Sequence, residues 1–273
     1  MIRAVDLLPH DLPGFAAANG WSYEPTADPP ALGHSLWEQV SQGTVHNRIR
    51  GDRWEAGRIT GGDRTARRVE KRGAWTVTTS VSISIPQASI DLGYLSIRLP
   101  RRMPHMVLDA TANDRGPFSS LLKRPRADQR LSLEGDFDSH FRLYTPNGYE
   151  TDALYVFTPD FMALLIDETG DLDVEIRDDH LVVYRPGGFD LADVATWERF
   201  ERLRRILAAK AWDRTVLYAD DHDPADLAYD IAEPGRRLRQ RAPRIVWLAV
   251  GIPIGILALG GAITAIVLTA VPW

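Results

Sequence analysis

Alternating hydrophobic and polar residues in the first half of the chain predict a series of β-strands. The alternation is strictest over residues 73–85, where apolar side chains and one threonine fall on one face and hydroxyl side chains on the other. Similar but shorter stretches occupy residues 45–51, 54–59, 94–99 and 106–110. Strict alternation is typical of strands with one buried and one wet face, so the pattern predicts an antiparallel meander.

Helical spacing and capping residues predict three main helices. Residues 12–19 form the first, with Pro13 in its opening turn. The second follows Thr158 and Pro159, because a hydroxyl cap and a proline at the first position favour a helix start, and Gly170 ends it. The third covers residues 191–211, where apolar residues recur every three or four positions.

Between the last two helices, residues 172–177 and 180–184 alternate again and predict a hairpin that turns at Asp178 and Asp179. Together these elements predict an α+β fold. It consists of a largely antiparallel β-sheet with packed helices, plus one C-terminal transmembrane helix.

The transmembrane helix is predicted from residues 245–271, a run of 27 residues without a charged side chain. About 20 apolar residues suffice to cross a bilayer core. Lys and Arg beside a span remain on the cytoplasmic side, and aromatic side chains favour the headgroup boundary. The predicted membrane-interface residues are Arg236, Arg237, Arg239, Arg241, Arg244, Trp247 and Trp273.

These flanks predict a single-pass protein of the inner membrane in a tail-anchored arrangement. Residues 1–232 form a cytoplasmic α+β domain, residues 233–244 a basic juxtamembrane linker, and residues 245–271 the span. The expected partners are the lipid bilayer and an unknown protein. The arginines also suit anionic lipid headgroups, because each basic side chain near such a surface contributes about 1 kcal/mol of attraction.

Composition narrows the function further. The net charge is −5, and outside the basic linker the chain is more acidic still, which argues against nucleic acid as a partner. The chain contains no cysteine, so disulfides, thiolate zinc sites and cysteine nucleophiles are excluded. The hydrophobic share of 44 % is ordinary for a globular protein.

Three groups of His and Asp are candidates for metal binding or acid–base chemistry. Residues 220–223 contain three Asp and a His, but Asp223 precedes Pro224 and suits a helix cap. Residues 178–180 fit a turn. His140 lies near two Asp, yet no nucleophile motif or phosphate-binding glycine loop accompanies it. The sequence therefore assigns no catalytic residue, metal site or cofactor.

Three segments carry a resemblance to a known group of proteins: FAAANGWSY at residues 15–23, HNRIRG at residues 46–51, and LEGDFDSHFRLYTPNGYETDALYVFTPDFMALLID at residues 133–167. The chain resembles uncharacterised bacterial membrane-anchored proteins that carry a domain of unknown function. That resemblance implies a β-rich cytoplasmic domain joined to membrane helices, without an assigned activity.

The leading hypothesis is a membrane-tethered, non-catalytic adaptor or regulator that binds protein partners at the inner membrane face. The alternative is an enzyme with an unrecognised carboxylate/His site. An enzyme is expected to have a deep pocket with converging polar groups, whereas an adaptor is expected to present a shallow surface or an exposed sheet edge.

Overall fold

The computed structural model describes residues 11–28, 43–61, 64–70, 79–85, 90–114, 121, 124–133, 135–216, 218–220 and 230–240. Contacts divide the chain into two units, Met1–Arg239 and Gln240–Trp273, and every helix and strand described below belongs to the first. Within the described ranges, no helix is both long and apolar enough to cross a membrane. The predicted span at residues 245–271 lies outside these ranges.

The core of the first unit is a seven-stranded sheet. The strands of the fold are β1 Ser22–Ala27, β2 Thr44–Gly51, β3 Trp54–Gly61, β4 Arg64–Glu70, β5 Thr79–Ile85, β6 Ile90–Ala110, β7 Arg130–Leu131, β8 Phe141–Tyr144 and β9 Asp173–Pro186. The sheet has the order β1-β2-β3-β6-β8-β7, and β9 also pairs with β6. A separate two-stranded sheet joins β4 to β5. All these pairings are antiparallel, so the predicted α+β class with a largely antiparallel sheet is confirmed.

The longest strand, β6, corrects the prediction of two separate strands at residues 94–99 and 106–110. It continues through Pro100 and Pro104, although neither proline can donate a ladder hydrogen bond. The register against β9 shifts on either side of Met103, so the prolines lie in irregular stretches of the strand. β3 and β8 both flank one edge of β6, while β9 runs along the other.

The predicted hairpin at Asp178 and Asp179 is wrong, because β9 is one continuous strand that pairs with β6 from Val174 to Pro186. Asp178 adopts a positive φ of 52°, which an aspartate tolerates better than most residues. It lies opposite Met103, between the two register shifts. The turn-forming residues therefore bend a strand here instead of reversing the chain.

The helices confirm the main predictions, with one interruption. They are α1 Leu12–Ala18, α2 Phe137–His140, α3 Glu150–Val156, α4 Pro159–Thr169, α5 Val194–Arg202 and α6 Ala208–Thr215. Thr158 and Gly170 occupy the caps of α4 as expected. The predicted long helix begins at Val194, and a π-helical turn, Leu203–Leu207, joins its two parts.

Alternating residues of the central strands are buried on both faces of the sheet. On one face, Leu95 and Ile97 of β6 join the main core, to which α1 and the helices after β8 also contribute. On the other face, Leu92 and Tyr94 join a smaller cluster with Tyr184 of β9. The prediction that one face of each strand is exposed to water does not hold for β6 and β9. The face that carries Leu92 and Tyr94 also carries buried polar groups, which are described with the candidate site below.

Candidate functional site

The end of the described chain, residues 230–240, packs against the middle of β6 and is called the C-terminal segment below. It contains one short 3₁₀ turn, Glu233–Gly235, with Pro234 inside it. Ile231 and Leu238 are both buried, one in the main core and one in a cluster with Val107 and Tyr144. Residues 230–239 therefore belong to the first unit, whereas the sequence predicts a linker over residues 233–244.

His105 of β6 holds the segment by its backbone. The Leu238 N–H donates to His105 Nδ1 at 3.0 Å, and His105 Nε2 lies 2.7 Å from Glu175 Oε1. Since Nδ1 accepts, the proton of the neutral imidazole is on Nε2 and is donated to the carboxylate. His105 is only 1 % exposed, so both of its ring nitrogens are committed to bonds inside the protein.

Gln129 makes a second, paired contact with the backbone. Its Oε1 accepts from the Arg239 N–H at 2.8 Å, and its Nε2 donates to the Arg239 carbonyl at 2.8 Å. The same carbonyl accepts from the Arg126 N–H at 3.0 Å. A side-chain amide that bonds both polar groups of one residue acts like a neighbouring strand. The segment is thus fixed at two successive residues.

Ion pairs add to these bonds at the start and middle of the segment. Asp230 accepts from Arg102 Nη1 at 2.8 Å and from Arg236 Nη2 at 3.1 Å. The Ile231 N–H and then Arg102 lower the pKa of the Asp230 carboxyl below its usual value. Arg237 Nη1 lies 3.5 Å from Asp178 Oδ2, at the bend of β9. The irregular part of the β6–β9 ladder is therefore the part that contacts the segment.

A glycine allows the closest approach. A Cβ on Gly235 would lie 2.4 Å from Tyr149 Cζ, so a larger residue requires one of the two to move. The Tyr149 hydroxyl donates to Asp220 Oδ2 at 2.9 Å, and the same oxygen accepts from the Ala232 N–H at 2.8 Å. Burial first, and then the Asp220 carboxylate, raise the pKa of Tyr149. This network connects the segment to the start of α3.

Behind His105, the second face of the sheet contains further buried polar contacts. The Tyr184 hydroxyl donates to Glu175 Oε2 at 3.1 Å, and the Tyr94 hydroxyl donates to Glu55 Oε1 at 3.0 Å. Burial, followed by the neighbouring carboxylate, raises the pKa of each tyrosine well above its usual value. Glu175 is therefore hydrogen-bonded at both oxygens, which lets a carboxylate stay inside the fold.

The predicted membrane-interface residues divide into two groups. Arg236, Arg237 and Arg239 belong to the C-terminal segment, and the first two are paired with carboxylates of the domain. Arg241, Arg244, Trp247 and Trp273 lie outside the described residues. Sequence reasoning missed His105 and Gln129, because their partners are 133 and 110 residues away in the chain and no local pattern marks them.

A second feature is a groove of about 400 Å³ beside α1. Its walls include Trp21, Glu201 and Arg204, the last of which lies on the π-helical turn. The Arg204 guanidinium lies 4.4 Å from the ring centroid of Trp54 and donates to Glu201 at 3.1 Å. Burial lowers its pKa, although Glu201 acts in the opposite direction. The result is an open groove with an aromatic and a cationic wall.

The candidate His/Asp groups have structural contacts. Asp220 binds Tyr149 and Ala232, while residues 221–223 lie outside the described ranges. His180 Nδ1 lies 2.8 Å from Asp179, which also accepts from Arg98. His140 lies 3.8 Å from Asp136 on the surface. Among the residues that the structure describes, no three His, Asp or Glu side chains are arranged to hold a metal ion.

No family model and no curated protein matches the chain. A search of solved structures finds similarity to the crystal structure of the mycobacterial trehalose monomycolate transport factor A, TtfA. The sequences are 13 % identical, and the TM-score is 0.43 over 74 % of this chain and 93 % of that one. Likeness at this level carries no inference about activity or partners.

Proposed function

We propose that this chain is a membrane-tethered, non-catalytic domain that presents a binding surface for a protein partner at the inner face of the membrane. The observation that carries the proposal is the docking of the C-terminal segment on His105 and Gln129. Residues 245–271, which contain no charge, follow this segment after only four residues. A segment that is bonded to the domain restricts its orientation at the tether more than a flexible linker does.

The groove beside α1 is the surface that we assign to the partner. Trp and Arg side chains provide a large share of binding energy at protein interfaces, and Trp21 and Arg204 line this groove. The π-helical turn places Arg204 here, and such turns are frequent at functional positions. The groove is open and flanked by exposed alanines of α1, which suits a peptide segment or a loop of another protein.

Among the described residues, His105 with Glu175 and Tyr184 is a buried candidate for the alternative, an enzyme with a carboxylate/His site. Both ring nitrogens of His105 and both carboxylate oxygens of Glu175 already have partners within the protein. A general base needs a free lone pair within reach of substrate. The geometry of this group therefore favours a structural role, and the adaptor remains the better-supported proposal.

Membrane fractionation tests the tether. The full chain is expected to sediment with membranes after a high-salt wash and to be extracted by detergent. A chain that ends at Gln240 keeps the whole C-terminal segment and is expected in the supernatant. Release of the full chain by salt alone would contradict the proposal, because surface charge contacts are screened by salt and a span is not.

Topology is tested with single cysteines, since the natural chain has none. Ser22→Cys, at an exposed position of β1, is expected to resist an impermeant thiol reagent on intact bacterial cells and to react after lysis. Trp273→Cys is the matched variant and is expected to react on intact cells. Labelling of Ser22→Cys before lysis would reverse the orientation and remove cytoplasmic partners from consideration.

The partner surface is tested with one exposed alanine in the groove and one outside it. Ala17→Arg fills the groove with a long side chain, whereas Ala195→Arg makes the same change at an exposed position of α5. A protein that is cross-linked to the natural full chain in membranes is expected to be lost with Ala17→Arg and kept with Ala195→Arg. Equal cross-linking by both variants would show that the groove is not the binding surface.

A further inference from the structure

The groove beside α1 contains a cation whose hydrogen-bonding capacity is only partly used. Arg204 donates from Nη1 to Glu201 Oε2 at 3.1 Å, and this is the one hydrogen bond that it makes within the described part of the chain. A guanidinium has five N–H donors in a rigid fork, and a carboxylate can accept two of them at once. The Arg204 side chain is 27 % exposed, so its remaining donors are open to a group that enters the groove.

The charge of Arg204 is not fully offset by the protein. Its guanidinium carbon lies 4.4 Å from the ring centroid of Trp54 and 6.0 Å from that of Trp21. Glu201 and then Asp52 act to raise the pKa of Arg204, yet burial has the larger effect and lowers it. The charged form has therefore lost more interaction with water than these two carboxylates replace. An additional anion beside the guanidinium would compensate this loss.

The rest of the groove suits an apolar side chain next to such an anion. Trp21 lines it together with the end of α1, where residues 17–20 carry no charge and no side chain longer than that of asparagine. The Trp21 ring is edge-on to Trp54 at 5.0 Å and stacked on Trp197 at 5.6 Å, and these contacts fix its position. A fixed indole beside a cation provides an anchor for an apolar residue that adjoins a carboxylate.

We propose that the groove binds an Asp or Glu side chain within a peptide segment of the partner, with an apolar neighbour of that residue packed on Trp21. This proposal rests on the proposed function and names the chemistry of the partner at the same groove. The carboxylate accepts from the open N–H groups of Arg204. The groove is open, so it admits a chain that continues on both sides of the bound residue, as an internal Asp or Glu requires.

The same groove disfavours a more strongly charged anion. Glu201 and the carboxyl end of α1 both line it, and the carbonyl groups at a helix end carry partial negative charge. Their repulsion grows with the charge of the group that enters, whereas Arg204 provides a single positive charge. One carboxylate therefore suits the groove better than a phosphate.

The test presents displayed peptide libraries to the full chain in detergent. Three libraries have Glu, Gln or Lys fixed at the centre of a short loop with random residues around it, and a fourth ends in a free carboxylate. Glu-centred peptides with apolar neighbours are expected to be enriched. Such a peptide is expected to bind about tenfold more tightly than its Gln counterpart. Ala17→Arg is expected to abolish this binding, and Ala195→Arg is expected to retain it.

Two further variants test the charges directly. Arg204→Lys keeps the positive charge but lacks the fork, so it is expected to weaken binding of the Glu peptide by about three- to tenfold and to change that of its Gln counterpart little. Glu201→Gln removes a like charge beside the incoming carboxylate and is expected to tighten binding about threefold at low salt, since Trp54 still holds the guanidinium. Weaker binding in Glu201→Gln would contradict the proposal.

The outcomes separate this proposal from the proposed function. If Ala17→Arg abolishes binding but the enriched peptides have Gln or Lys at the centre, the groove is a partner surface that does not select a carboxylate, and this proposal is overturned. The same holds if only the library with a free carboxylate binds. If no library gives a peptide that Ala17→Arg loses, the groove does not bind peptides, and its assignment as the partner surface in the proposed function fails as well.

Discussion

The contact between His105 and Leu238 gives the sharpest prediction, because both groups are buried and each has a defined partner. His105→Ala removes the acceptor of the Leu238 N–H and also the group that bonds Glu175 Oε1. Glu175 keeps the bond from the Tyr184 hydroxyl at 3.1 Å. The variant therefore leaves the buried Leu238 N–H without its acceptor and removes the hydrogen bond at Glu175 Oε1.

The expected cost follows from these two losses. A buried donor or acceptor that loses its partner destabilises a protein by about 1–3 kcal/mol. We expect His105→Ala to lower the free energy of unfolding by about 2–4 kcal/mol in total, including the space left by the ring. His105→Asn is the matched variant, because its side-chain oxygen can replace Nδ1 as the acceptor without reaching Glu175. It is expected to regain about 1 kcal/mol.

Hydrogen exchange of the Leu238 amide is the measurement specific to this contact. In the detergent-extracted full chain, His105→Ala is expected to speed exchange at Leu238 by about 5- to 150-fold, which corresponds to about 1–3 kcal/mol of lost local protection. His105→Asn is expected to exchange at a rate between those of His105→Ala and the natural chain. Unchanged exchange at Leu238 in His105→Ala would refute the account of the segment as held by this histidine.

Three further predictions concern single sites. Gly235→Ala is expected to lower the free energy of urea unfolding by about 1–3 kcal/mol, because its Cβ would meet the Tyr149 ring. In the double mutant with Tyr149→Ala, the smaller side chain at position 149 should remove this clash, so the two losses of stability should not add. Arg199 lowers the pKa of the Asp171 carboxyl, so the pair stabilises the fold above the carboxyl's unfolded pKa of about 4 and ceases to do so as the pH falls. Asp171→Asn is therefore expected to have a lower free energy of unfolding than the natural chain at pH 7, and the difference should shrink between pH 7 and pH 3. Burial raises the pKa of Tyr184, so its neutral form stabilises the fold below about pH 10 and this contribution is lost at higher pH. In an absorbance titration, Tyr184→Phe should lack one phenol that ionises late in the natural chain. If the missing phenol is one that ionises early, Tyr184 is not buried as described.

Local sequence signals decided the elements whose contacts are close in the chain. Thr158 and Pro159 start α4 because a proline at the first helical position loses no hydrogen bond. The paired strands β2 and β3 follow from alternation on either side of a short turn. The uncharged run at residues 245–271 likewise needs no tertiary information to be recognised as a candidate span.

Tertiary pairing determined whether a strand continued at positions where turn-forming residues were misleading. Pro100, Pro104 and Asp178 each indicate a break, yet β6 and β9 continue past all three because their irregular stretches lie opposite one another. A proline or an aspartate with positive φ has a local cost, and a ladder that pairs on both sides of it offsets that cost. No window of a single strand contains the information that its partner bends at the same place.

The candidate site shows the same limit more strongly. The sequence by itself determined that residues 236–244 are basic and precede a possible span. Only the fold brings His105 and Gln129 to the backbone of Leu238 and Arg239. Every residue except proline has a main-chain N–H and carbonyl, so a hydrogen bond to these groups does not require a particular side chain at the residue that is bound. Such a contact therefore leaves no pattern in the sequence around that residue. His105 lies on β6 and Gln129 on the turn before β7, so the bonds form only once these parts of the chain are folded together. For that reason the tertiary structure, and not composition or spacing, places the segment against the sheet.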